Sequence, residues 1–195
     1  MYLSTDKLMH FVVGVAVGVS FWQLLERYAK VGVRRINPFW FLIMLIWGAS
    51  GLFFFRKLHL PVLSNDFFYM AVPDWDIPLY NWTRLRFLIH RSWLFHSALL
   101  PIGLLLISLW GMNRRQSASH RPAWKWLRDS AMGLSVGISA HLIWDALLSE
   151  TKVGFIINGW NHSISLAWLA LNLILGFGVP CLVTWAMDFL PRNVD

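Results

Sequence analysis

Five long apolar stretches alternate with polar connections along the 195-residue chain. Leu8–Leu25 carries no formal charge and is long enough to cross a bilayer at roughly 20 residues per pass. Pro38–Phe55, Phe87–Met112, Ser130–Glu150 and Ser163–Met187 follow, the last with a bend expected at Gly176, Gly178 and Pro180. The pattern predicts an all-α fold: one polytopic bundle, residues 1–195, of about five transmembrane helices. A cleaved signal peptide is the competing reading of the first stretch. Its head is not basic, because Asp6 offsets Lys7, its apolar core is long, and no A-x-A site follows.

Composition agrees with this class. The chain is 57% hydrophobic and only 14% charged, too apolar for an ordinary soluble domain. The single cysteine, Cys181, excludes an internal disulfide. A net charge of +7 invites a nucleic-acid reading, but the basic residues cluster between the spans, as membrane topology requires, and no nucleic acid is expected. The first connection holds Arg27, Lys30, Arg34 and Arg35, and the third holds Arg114, Arg115, Arg121, Lys125 and Arg128. The second offsets Arg56, Lys57, Arg84 and Arg86 with Asp66, Asp74 and Asp76, and the fourth has only Lys152. Connections one and three are therefore expected in the cytoplasm, with the N-terminus outside.

Within the fourth stretch Gly133, Gly137, His141 and Asp145 recur every four residues. On a helix they form one slanted stripe. Its glycines let another helix approach closely, and its histidine and aspartate demand a partner inside an apolar bundle. His10, Gly14 and Gly18 repeat the step in the first stretch. The predicted orientation brings His10, Asp74, Asp76, His90, His96, His141 and Asp145 to the outer side, with His59 and His162. His59 and His120 read as ordinary interfacial or loop residues, and His162 as either a cap or an accessory ligand.

Imidazole and carboxylate together suit a divalent metal, zinc first and manganese or iron at a carboxylate-rich site. Seven candidates exceed one tetrahedral shell, so one to three ions are expected, some residues supporting rather than ligating. Asp74 and Asp76 diverge in an extended turn. His90 and His96, six apart, point about 120° apart on an undistorted helix, which puts His90 at the start of the helix or one of the pair behind the other.

Taken in order, His10, Pro73-Asp74-Trp75-Asp76, His90-Arg91-x4-His96-Ser97 and His141-x3-Asp145 resemble the motifs of the YdjM-like bacterial inner-membrane proteins, described as membrane-bound metal-dependent hydrolases. The resemblance covers about residues 5 to 160. Ser92 and Phe95 depart from it, standing where the family has glycine and threonine. A distant likeness of that family to zinc-dependent phospholipase C and nucleases implies hydrolysis of a phosphoester or lipid-linked substrate at the outer face of the inner membrane. Asp76 is then expected as a bridging ligand or proton acceptor, and Arg91 as a phosphate clamp. The alternative is a non-enzymatic subunit or assembly factor of a membrane complex, with a protein partner or oligomer and a structural metal. A haem carrier is disfavoured by the carboxylates beside the histidines and the lack of C-x-x-C-H. A transporter is disfavoured by five spans without an inverted repeat.

Overall fold

The computed structural model describes residues 5–52, 67, 69–113, 121–147 and 155–189. Among these the chain is helical and has no strand. The helices are α1 (Thr5–Tyr28), α2 (Lys30–Arg34), α3 (Pro38–Ser50), α4 (Asp76–Thr83), α5 (Leu99–Asn113), α6 (Arg121–Leu147) and α7 (His162–Phe189). Single 3-10 turns occupy Val72–Trp75 and Arg86–Leu88. His59, His120, Arg56, Lys57, Asp66, Arg114, Arg115 and Lys152 lie outside the described residues.

The bundle is built around α6, which packs against α1, α3, α5 and α7. Every residue from Arg128 to Leu142 is buried, so over this stretch the helix has no outer face. Its glycines explain the closeness of α3. A Cβ on Gly133 or Gly137 would overlap the main-chain oxygens of Phe41 and Leu45. On the other flank of α3, Gly14 and Gly18 of α1 make room for the side chains of Ala49 and Leu45.

Two helices, α1 and α7, are long and apolar enough to cross a membrane. The shorter apolar helices α3 and α5, at 13 and 15 residues, rise about 20 Å and 23 Å. Both differ from the sequence pattern. The Asn37 side chain caps α3 by accepting from the Phe39 N–H at 3.0 Å, but the helix stops at Ser50 rather than Phe55. Gly51 turns there with φ +77°, and a Cβ on it would strike the main chain of Tyr69 and Met70. α5 starts at Leu99, not Phe87. The apolar run before it folds into turns, with Arg91 at φ +63°, and the Asn172 side-chain oxygen caps the new start by accepting from the Ala98 N–H at 2.7 Å.

α6 begins at Arg121, so part of the basic connection is helical. α7 continues through Pro180, whose ring nitrogen leaves the Gly176 carbonyl without its helical donor. The Ser135 hydroxyl of α6 donates to that oxygen at 2.9 Å, which lets the helix continue inside an apolar bundle. At the same end as α2, the buried Arg128 binds Asp129 at 2.7 Å and the Arg35 carbonyl at 2.7 Å. Asp129 accepts from the Asn37 N–H at 2.9 Å, and Asp188 accepts from the Gly32 N–H. This clasp ties the start of α3 to α6, and the end of α7 to α2.

Candidate metal centre

The opposite end of the bundle gathers the seven candidate ligands. α1 begins there and α6 ends there. His10 Nε2 lies 3.1 Å from Asp145 Oδ1, across 135 positions of sequence. Asp145 Oδ2 stands 3.6 Å from His141 Nε2 and 3.9 Å from His96 Nε2. Asp74 Oδ1 stands 3.9 Å from the same His141 nitrogen. Asp76 faces His90 Nδ1 at 3.4 Å and His96 Nδ1 at 3.3 Å. The rings of His10 and His141 are 4.4 Å apart, and those of His96 and His141 are 5.9 Å apart.

Local backbone sets these positions. His141 and Asp145 share a face of α6 because they are one turn apart. Pro73 and Asp74 sit in the 3-10 turn, and Asp76 opens α4, so the two aspartates are carried by helical turns rather than the extended turn expected. His90 and His96 belong to no long helix. They lie in the turns before α5, which removes the angular conflict a helix would have imposed.

Two histidines are held from behind by main-chain carbonyls. His141 Nδ1 donates to the Ala49 carbonyl at 2.9 Å, and His10 Nδ1 to the Asp6 carbonyl at 3.0 Å. A carbonyl only accepts, so in the neutral ring Nδ1 carries the hydrogen and Nε2 carries the lone pair. Both lone pairs then face the Asp145 carboxylate, which also only accepts. Such an arrangement holds together only with positive charge between the atoms, either a proton or a metal ion. The His141 Nε2 and both ring nitrogens of His96 are buried without a hydrogen-bond partner; the 3.3 Å approach of His96 Nδ1 to Asp76 is off the donor line.

Asp76 is fully buried, and its Oδ2 accepts from the Ser92 N–H at 2.9 Å. Burial raises its pKa, but the contacts of His90, His96 and the Ser92 N–H outweigh burial and bring it down to about 2. The group stays ionised throughout the neutral range. For His90 the hydrogen bond to Asp76 dominates and raises the pKa, against burial and the nearby charge of Arg91.

The donor atoms fall into two triads. Those of His10, His141 and Asp145 lie within 4.8 Å of one another, and so do those of Asp74, His90 and His96. Ligands about 2.0–2.2 Å from one ion are at most roughly 4.4 Å apart, and the approaches of His10 and His141 to Asp145, 3.1 Å and 3.6 Å, fall inside that span. These groups could hold a metal ion, and their donors are the nitrogen and oxygen types that suit zinc or manganese.

Arg91 sits beside the cluster. Its carbonyl accepts from the Asn158 N–H at 3.3 Å, and its guanidinium makes no hydrogen bond or ion pair among the described residues. His162 is exposed at the start of α7, outside the cluster. Sequence reasoning missed the supporting atoms: Asp6, the Ala49 carbonyl and the Ser92 N–H. Asp6 alone had a signal, since it begins the four-residue stripe of His10, Gly14 and Gly18, and it also accepts from the Trp144 indole at 3.4 Å. Compared with family models, curated proteins and solved structures, the chain matches none.

Proposed function

We propose that this chain is a multi-pass protein of the bacterial inner membrane and a metal-dependent hydrolase of phosphoesters, on lipid-linked substrates at the outer face. One observation carries the reading: buried ring nitrogens of His96 and His141 with no hydrogen-bond partner face the carboxylates of Asp74, Asp76 and Asp145. The two triads support two ions, with zinc the first choice and manganese the second. Asp145, close to His10, His141 and His96, and Asp74, near His141, are the carboxylates placed between the triads.

A bound divalent ion supplies Lewis acidity, polarising a phosphoryl oxygen and lowering the pKa of water from about 15.7 towards 7. The chain's own residues do the rest. Asp76 takes a positioning role in this reading: it holds His90 through Nδ1 at 3.4 Å and sets its charge 3.3 Å from His96 Nδ1. Asp6 and Ala49 hold His10 and His141 through their carbonyls. Arg91, whose guanidinium makes no ion pair among the described residues, binds the phosphate.

The membrane assignment is supported by α1 and α7 and by the alternation of the long helices, with α1, α5 and α7 starting near the centre and α3 and α6 ending there. In this reading the five helices make five passes. The basic connections on the opposite side favour placing the centre outside. The resemblance to the YdjM-like hydrolases fits the same chemistry.

The test is turnover. Protein in vesicles is expected to hydrolyse a phosphodiester such as bis(p-nitrophenyl) phosphate or a phospholipid headgroup ester, to stop on chelation, and to recover with zinc or manganese. Purified protein that neither holds nor binds a divalent ion would remove the reading.

A further inference from the structure

Thirteen residues, Ile77 to Ile89, leave the centre and return to it. The excursion is fixed at both feet, Asp76 on one side and His90 on the other, and the feet touch each other at 3.4 Å. Between them α4 ends where Arg84 takes a left-handed conformation, φ +59°, with its N–H donating to the Tyr80 carbonyl at 2.8 Å. The Thr83 hydroxyl closes the same turn by donating to the Leu79 carbonyl at 2.7 Å. The tip is therefore a built turn.

Its surface is unusual. Every residue from Asn81 to Phe87 is exposed, and three of the seven are large and apolar: Trp82 at 82%, Leu85 at 46% and Phe87 at 52%. Arg84 and Arg86 stand between them, Arg84 lying 6.0 Å from the Tyr80 ring centre. No acidic residue occurs from Ile77 to Ile89. Among the described residues neither arginine makes an ion pair. Large apolar side chains interleaved with arginines would be a liability in water. At a bilayer boundary the rings and leucine enter the headgroup layer while the guanidinium groups meet phosphates.

We propose that this arm is a docking surface for anionic phospholipid headgroups, seated in the leaflet beside the metal centre. It rests on the membrane reading of α1 and α7. Charge complementarity selects the occupant: two exposed arginines on an apolar tip, with no ion pair among the described residues, suit an anionic lipid surface better than a neutral one or a second copy of this positively charged chain. Because its feet are Asp76 and His90, the arm places phosphate-bearing lipids next to the groups proposed for hydrolysis.

The full chain in vesicles gives the test. Trp82→Cys and Phe87→Cys, each in a Cys181→Ser background, carry an environment-sensitive nitrobenzoxadiazole label. Ile174→Cys, on the exposed face of α7, is the control for membrane insertion. In phosphatidylcholine mixed with phosphatidylglycerol, both arm labels are expected to emit to the blue and to be quenched by lipids spin-labelled near the headgroup. Removing the anionic lipid, or Arg84→Gln with Arg86→Gln, is expected to lower the embedded-to-free ratio about 25-fold, at roughly 5-fold per arginine.

Water-like emission from both arm labels while the α7 label reads as lipid-exposed would overturn the arm and leave the membrane reading intact. Water-like emission from all three would remove the membrane reading as well. A blue shift that ignores lipid charge and fades as protein is diluted in lipid would assign the surface to a second copy and overturn the proposal.

Discussion

Asp145→Ala is expected to weaken metal binding by more than about 100-fold, beyond the 10–100-fold typical of residues that only support a ligand. Asp145 approaches three imidazoles, from α1, α6 and the turns before α5, so its loss strikes both triads. His90→Ala removes a member of one triad only and is expected to leave one ion per chain of an initial two. Elemental analysis of the purified proteins, with competitive titration by a zinc chelator, reads both. Equal loss in the two variants would argue for one shared ion, and no loss in either would argue that Asp145 pairs with protons alone. A stability signature accompanies this. Ligand at about 100 times its dissociation constant stabilises by about 2.7 kcal/mol, so chelation is expected to lower the Tm of the wild type by roughly 5–10 °C and that of Asp145→Ala very little.

Gly137→Ala is expected to be among the most damaging single-methyl changes in the bundle. The added carbon would meet the Leu45 main-chain oxygen, which cannot step aside as a side-chain tip can. Overpacking of this kind costs about 1–3 kcal/mol, and the upper end applies because backbone meets backbone; the Tm should fall by roughly 5–10 °C. Gly103→Ala is the matched control, since a Cβ there meets nothing within 4 Å, and it should leave thermal stability unchanged or slightly raised. Leu45 is one turn before Ala49, whose carbonyl holds His141. Pushing α3 away should therefore also weaken metal binding. Thermal unfolding of both variants with and without zinc measures the two effects together, and equal behaviour of Gly137→Ala and Gly103→Ala would rule out the close α3–α6 contact.

The long helices were legible because their apolar runs exceed any strand and because the four-residue stripes of α1 and α6 survive into three dimensions. The places that departed have physical causes. α2 and α4 are one or two turns long, too short for a periodic signal. Phe87–Ala98 reads as a span because hydropathy cannot distinguish an apolar segment that crosses a bilayer from one folded into turns above a buried Asp76. The histidines and aspartates of the centre could be singled out by type. What orients them could not, because the Ala49 and Asp6 carbonyls and the Ser92 N–H are main-chain atoms that any residue would supply.

The bond between His10 and Asp145 also bears on how the molecule is made. Helical neighbours can associate as they emerge, but this contact waits for 135 further residues after His10, and loop closure over such a distance comes late. Under the proposed function, ion capture becomes the final stage of maturation, a latch that engages only on chains whose first and sixth helices have already met.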